Sequence, residues 1–161
     1  MMRGDDCPDH ELGDRARRPL KVRIPPNACF GKSVRDEILA FVERSSVECL
    51  ELDDFIVAVG EATANAIEHS GAESVIEVRC QIEDDKIFAT IVDSGSGFEI
   101  SSNAGMLLPE ALSERGRGLP IMRRCTDIFA VHSVPGKGTT VVLGRYFQRQ
   151  EDGTEDNSQA S

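Results

Sequence analysis

The chain has 161 residues, of which 40% are hydrophobic and 29% charged, and its formal net charge is −10. This length and composition predict one globular domain with a core of its own. The acidic charge argues against a nucleic-acid partner because it repels a phosphate backbone, and the lack of Trp argues against base stacking. Five cysteines without any CxxC pair indicate reduced thiols rather than a zinc site or a disulfide framework.

The two ends of the chain differ in composition from its middle. Residues 1–18 are charged and lack the apolar core of a signal peptide, which predicts a flexible N-terminal arm. Residues 149–161 predict an acidic flexible tail. One domain is expected over residues 19–148, without the roughly 20 consecutive apolar residues that span a bilayer. We therefore expect a cytoplasmic protein that has no membrane contact.

The first half of the domain predicts a strand and two helices. Alternating apolar and charged residues predict a strand over Leu20–Ile24, which Pro25 and Pro26 end. Apolar residues at helical spacing predict a helix over about residues 29–45. A second helix is expected over about residues 52–69, where Gly71 stops it.

The second half predicts mainly strands. Residues 74–82 and 86–92 predict two strands, and the polar stretch 99–117 predicts a long loop of the kind that forms a functional lid. A short helix near residues 119–125 precedes a hairpin formed by residues 128–133 and 139–146. This order predicts an α+β two-layer sandwich, in which a mixed, mostly antiparallel sheet carries the helices on one face.

The second predicted helix carries a polar stripe. Glu61, Asn65 and Glu68 share one side of it, whereas the apolar residues share another. An amide oxygen is a suitable ligand for Mg²⁺, and a carboxylate can accept a proton from an attacking hydroxyl. A solvated polar face has the same pattern, so the stripe alone leaves both interpretations open.

A glycine-rich segment follows the predicted strand 86–92. Asp93 at the strand end offers a carboxylate to an exocyclic amine such as that of adenine, and Gly95 and Gly97 allow the backbone to approach a flat ligand. An ordinary strand-end turn is the alternative. The chain contains no GxxxxGK[ST] motif, which excludes a P-loop nucleotide site.

Two further segments complete the set of motifs. Glycines just before the short helix, flanked by Arg115 and Arg117, fit an anion site, although a solvent-exposed basic loop has the same composition. In the last hairpin, Thr139 and Thr140 follow a glycine turn and suit the lining of a purine pocket.

The order of these four segments resembles the GHKL (Bergerat-fold) ATPases over about residues 20–147. The closest resemblance is to the anti-sigma-factor serine/threonine kinases, in the segments EATANAIEHS, ERGRGLPIMRRCTD and GTTVVL. The resemblance implies the Bergerat fold, with ATP and Mg²⁺ in the site. It also implies two protein partners, an anti-sigma antagonist of the STAS-domain type and a sigma factor, and a homodimer as a common assembly.

The resemblance implies a role for each matching residue. Glu61 is expected to be the general base, Asn65 the Mg²⁺ ligand and Asp93 the acceptor for the adenine amine, while His69 is expected to be a helix-end residue. The other expected nucleotide-binding residues are Gly95 and Gly97 in the pocket floor, Gly116 and Gly118 in the phosphate loop, Thr139 or Thr140 in the adenine pocket, and Arg115 and Arg117 near the lid. Each of these two arginines is expected to face the γ-phosphate, a partner or solvent.

The expected function is an ATP-dependent serine/threonine protein kinase of the anti-sigma-factor type. The alternative is a nucleotide-binding regulatory module of the same fold without efficient phosphotransfer, because the lid segment SSNAGMLLPEALS does not distinguish the two. The catalytic domain of a histidine kinase is disfavoured, since that class works beside a helical hairpin with an acceptor His and this chain has no room for one.

Overall fold

The computed structural model describes residues 18–45, 47, 52–98 and 118–147. Three helices are described, and they follow the predicted positions closely: α1 (Phe30–Arg44), α2 (Leu52–His69) and α3 (Gly118–Arg124). The strands are β1 (Leu20–Ile24), β2 (Ile76–Glu83), β3 (Lys86–Asp93), β4 (Ile128–Val134) and β5 (Gly138–Tyr146). The predicted lid and the acidic tail lie outside the described residues, as does the predicted arm apart from Arg18.

The five strands form one open sheet in the order β1-β2-β3-β5-β4. Every pairing between described strands is antiparallel, so the sheet is not mixed over the part of the chain that the structure describes. The hairpins β2-β3 and β4-β5 supply two of these pairings, and β3 pairs with β5 between the hairpins. The predicted two-layer α+β architecture is confirmed.

The core lies between the helices and one face of the sheet. On β3 the residues alternate strictly between buried and half-buried, as expected for a strand with only one covered face. Helix α2 packs against α1, α3, β3 and β5, which makes it the central element of the helical layer. The apolar side of α1 is buried at the predicted positions Val34, Ile38, Phe41 and Val42.

The sequence of α2 favours both its first turn and its packing against the sheet. Asp53 and Asp54 occupy its first turn, where a negative charge interacts favourably with the helix dipole. Its buried side consists of Phe55, Val59, Thr63 and three alanines, Ala58, Ala62 and Ala66, and the small alanines let the helix lie close to the sheet. None of the described helices is both long and apolar enough to cross a bilayer.

Three cysteines lie within the described residues, and all of them are free thiols. Cys80 on β2 is fully buried, and this burial raises the pKa of its thiol to about 12. The thiol therefore stays protonated at neutral pH and acts as a small apolar side chain of the core.

Phe55 tests how much of the stability depends on the contact between α2 and the sheet. Its side chain is fully buried, so Phe55→Ala should lower the free energy of unfolding by about 3–5 kcal/mol in urea denaturation. Val57 lies on the same helix and is 48% exposed, so Val57→Ala should change that free energy by no more than about 0.5 kcal/mol. Equal losses in the two variants would contradict this packing.

Candidate functional site

A cavity opens between α2 and the end of the sheet where β3 stops and β5 starts. All four predicted motif segments contribute to its wall, although they are far apart in the chain. Its lining residues are Ala62, Asn65, Ala66, His69, Ile91, Asp93, Ser96, Gly97, Phe98, Leu119, Val131, Thr139 and Val141. The small side chains of Ala62 and Ala66 leave room between the helix and the sheet. The cavity thus has an apolar interior with a few polar groups, which is the usual make-up of a small-molecule site.

Asp93 provides the carboxylate of the cavity. It is the last residue of β3, and its side chain is on the face of the strand that carries the buried residues. Only 8% of the residue is exposed, and the backbone N–H of Gly95 donates to its Oδ1 atom at 2.8 Å. This hydrogen bond fixes the carboxylate and leaves acceptor capacity for a donor from a ligand.

Glycines allow the segment after Asp93 to lie between α2 and the β4-β5 hairpin. A Cβ atom on Gly95 would lie 2.1 Å from the carbonyl oxygen of His69, and one on Gly97 would lie 2.1 Å from that of Val134. Gly97 also has a φ of +58°, which other residues rarely adopt. The N–H of Gly136 donates to the carbonyl oxygen of Ser96 at 2.7 Å, so the contact is largely between backbones.

Three polar residues form a row across the sheet at this end. Thr139 on β5 is paired with Asp93 on one side and with Ser133 on β4 on the other. Thr139 lines the cavity together with Asp93. Thr140 is the next residue of the same strand, so its side chain leaves the opposite face of the sheet and does not line the cavity. Of the two predicted threonines, the structure places Thr139 at the site.

Glu61 and Asn65 meet the start of α3. A Cβ atom on Gly118 would lie 3.0 Å from Asn65 Nδ2, 3.3 Å from Asn65 Oδ1 and 3.3 Å from Glu61 Oε2. The missing side chain of Gly118 therefore keeps a space beside the amide and the carboxylate. Asn65 lines the cavity, whereas Glu61 lies one turn earlier on the helix and outside the cavity lining. Arg115, Gly116 and Arg117 lie outside the described residues.

The side chains at the site could hold a magnesium ion only together with the phosphates of a bound ligand. Among the described residues, no group of three or more His, Cys, Asp or Glu side chains could hold a metal ion. Mg²⁺ needs few protein ligands, because it keeps several waters and binds substrate phosphates. The space beside Gly118 and the oxygen of Asn65 fit an ion held in this way.

Some residues at the site were missed by the sequence analysis. Glu68 shares the polar stripe of the helix with Asn65 but does not line the cavity, whereas His69 does. His69 follows Asn65 by four residues, so helical spacing places it on the same side of α2 as Asn65. Ser96, Phe98 and Ser133 were also missed, and for Ser133 the signal exists only once the strand pairing is known.

Comparison with known proteins gives consistent matches. The sequence profile of the histidine kinase-like ATPase domain matches residues 31–145. An anti-sigma F factor from Caldanaerobacter subterraneus subsp. tengcongensis is 33% identical over 128 residues, which cover 76% of this chain and 87% of that protein. The serine-protein kinase RsbW from Staphylococcus aureus is 24% identical over 143 residues, covering 82% and 89% of the two chains.

The fold also matches a solved structure. The RsbU and RsbW domains of a Mycobacterium tuberculosis protein superpose with a TM-score of 0.62 at 18% identity. The match covers 82% of this chain but only 33% of that one, so this chain spans about a third of its length. At this identity the likeness concerns the fold alone.

Gly97→Ala tests the backbone contact between the segment after β3 and the hairpin. The new methyl group would meet the Val134 carbonyl in a left-handed backbone conformation, so the free energy of unfolding should fall by about 1–3 kcal/mol. A Cβ on Gly71 would have no neighbour within 4 Å, so Gly71→Ala should stay within about 0.5 kcal/mol of the parent protein. Chemical denaturation measures the free energy of unfolding of both variants. An unchanged free energy in Gly97→Ala would show that the backbone at Gly97 is not tightly packed against the Val134 carbonyl.

Proposed function

The chain belongs to the histidine kinase-like ATPase family, and we propose that it is an ATP-dependent serine/threonine protein kinase of the anti-sigma-factor type. Its protein substrate is an anti-sigma antagonist with a STAS domain, and its second partner is a sigma factor. The curated relatives named above, an anti-sigma F factor and a serine-protein kinase, support this proposal.

The observation that carries the proposal is the meeting of polar groups from different segments at one cavity. Asn65 comes from α2, Asp93 from the end of β3 and Thr139 from the start of β5. Gly118, at the start of α3, lies against Asn65 and Glu61. A ligand that fills the cavity would therefore touch a carboxylate and a hydroxyl at one end and an amide at the other.

The Asp93 end of the cavity suits an adenine ring. The buried carboxylate accepts a hydrogen bond from the exocyclic amine, and Gly97 and Ile91 form an apolar wall for the ring. Gly95 contributes indirectly, because its N–H holds one oxygen of the carboxylate.

The Asn65 end suits the phosphates. Asn65 supplies an oxygen ligand for Mg²⁺, and the bound ion would neutralise phosphate charge. The loop that leads to Gly118 contributes Gly116, Arg115 and Arg117 in this proposal. Backbone N–H groups and guanidinium groups of such a loop stabilise the charge that develops on the transferred phosphoryl group.

Glu61 is the proposed general base. Its carboxylate accepts the proton of the substrate serine or threonine while that hydroxyl oxygen bonds to the γ-phosphorus and the bond to the ADP oxygen breaks. The position of the Glu61 carboxylate beside Gly118, one turn from Asn65, supports this role, because Asn65 is the proposed Mg²⁺ ligand. The products are the phosphorylated antagonist and ADP, and the phosphorylated antagonist no longer displaces the sigma factor.

Glu61→Gln tests both the base and the reaction class. With Mg-ATP and a STAS-domain protein, the parent chain should yield phosphoserine or phosphothreonine, measured by mass spectrometry. The variant keeps the shape of the side chain but has no basic oxygen, so transfer should slow by about 10²–10⁴-fold while the Kd for ATP stays within about threefold. Glu68→Gln is the matched control, because Glu68 lies on the same helix, is exposed and does not line the cavity.

Other results of this experiment would contradict different parts of the proposed function. Transfer at the parent rate by Glu61→Gln would exclude Glu61 as the base. ATP binding by the parent chain without transfer to any STAS-domain protein would favour the nucleotide-binding module. A phosphohistidine in the chain itself would favour histidine kinase chemistry. Gel filtration with a sigma factor, with and without Mg-ATP, measures the second partner contact.

Asn65 is tested through the dependence of binding on magnesium. In calorimetry Mg²⁺ should tighten ATP binding to the parent chain by about tenfold, which corresponds to about 1.4 kcal/mol. Asn65→Ala should lose this increase while binding metal-free ATP like the parent chain, because the amide oxygen is the proposed ligand. Asn65→Asp keeps an oxygen and should keep the increase. An undiminished effect of Mg²⁺ in Asn65→Ala would exclude the residue as a ligand.

A further inference from the structure

The outward side of α2 carries a small apolar surface around Glu61. Helical spacing places Val57 one turn before Glu61 and Ala64 one turn after it, on the side of α2 opposite its buried residues. Val57 is 48% exposed, and Ala64 is exposed as well. Gly60 lies on the same side and has no side chain. We call Val57, Gly60, Glu61 and Ala64 the outer face of α2.

Neighbouring helices bound the outer face of α2 on two sides. A Cβ atom on Gly60 would lie 3.5 Å from two side-chain atoms of Arg35, which belongs to α1. A Cβ atom on Gly118, at the start of α3, would lie 3.3 Å from Glu61 Oε2. The outer face therefore lies between α1 and α3, and the Glu61 carboxylate is on its α3 side.

We propose that the outer face of α2 is the docking surface for the protein substrate, with Val57 as its main apolar contact. The inference rests on the proposed function, in which Glu61 accepts the proton of the substrate hydroxyl. Glu61 is half-buried and does not line the cavity, so a hydroxyl from another protein reaches its carboxylate across this face.

The geometry of a helix makes Val57 and Ala64 part of that contact. The substrate hydroxyl must come within about 3 Å of the Glu61 carboxylate. Residues three and four apart on a helix have Cβ atoms only about 5–6 Å apart. A folded protein that brings its hydroxyl to Glu61 therefore also covers Val57 and Ala64.

Charges around the outer face restrict the kind of surface that fits. Exposed carboxylates lie at both of its ends, on Asp53 and on Glu68. With Glu61 they place three carboxylates along this side of α2, against the guanidinium of Arg35. A matching surface therefore carries an apolar side chain beside its serine or threonine and is not itself acidic, because an excess of negative charge would repel it.

The test measures kcat and KM for a STAS-domain protein at saturating Mg-ATP on the full chain. Val57→Asn replaces the apolar contact by a polar group and should raise KM about tenfold. Ala64→Gln adds a long side chain on the other side of Glu61 and should raise KM by a similar factor, because it holds the substrate away. Both replacements are neutral, so kcat and the Kd for ATP should stay within about threefold of the parent values.

Val75→Asn is the matched control. Val75 is 44% exposed, comes just before β2 and does not belong to the outer face of α2. The same replacement at this valine should leave KM for the STAS-domain protein at the parent value. Circular dichroism of all three variants checks that they are folded, and if Val57→Asn does not fold, Ala64→Gln decides.

Several results would overturn the inference. A parent KM in both Val57→Asn and Ala64→Gln would exclude the outer face as the docking surface, and a lower kcat with a parent KM would mean that the replacements disturb Glu61 itself. Weaker binding of a sigma factor with a parent KM would assign the face to that partner, and a smaller species in gel filtration with a parent KM would assign it to a second copy of the chain.

Failure of the inference is distinguishable from failure of the proposed function. A parent chain that transfers no phosphate to any STAS-domain protein would refute both. Transfer by the parent chain with an unchanged KM in the two variants would refute only the docking surface.

Discussion

The close packing of α2 on the sheet is the constraint on which the site depends. Ala58, Ala62 and Ala66 are buried on this helix, and larger side chains at these positions would push it away from β3 and β5. Two of these alanines also line the cavity, so one row of small residues serves both the core and the site. The position of Asn65 relative to Asp93 and Thr139 therefore follows from ordinary core packing rather than from polar contacts of its own.

Most of the fold could be predicted from the sequence because its signals are local. The bounds of β1 and α2 matched the expectation, since proline, glycine and apolar spacing mark them directly. Two of the three residues in the polar row at the end of the sheet were predicted. Asp93 and Thr139 lie in recognisable sequence motifs, whereas Ser133 joins them through a strand pairing that no single segment reveals. His69 was assigned to the helix end, which is correct, but its place in the cavity also depends on how the end of α2 packs against the end of the sheet.

The predicted lid loop and its arginines lie outside the described residues. The sequence of the stretch 99–117 is polar, lacks periodicity and contains both Gly and Pro, so it predicts neither a helix nor a strand. Gly118 is the first described residue after this stretch, and the roles of Arg115 and Arg117 remain proposals.

The two ends of the sheet differ in how well they would accept an insertion or a label. At the cavity end, the segment after Asp93 is bound to both the last turn of α2 and the β4-β5 hairpin, so an inserted residue would displace all three elements together. At the other end, β2 and β3 are joined by a short turn at Asp84 and Asp85, both exposed and remote from the cavity wall. A fluorescent or affinity label introduced at this turn would leave the lining of the cavity unchanged.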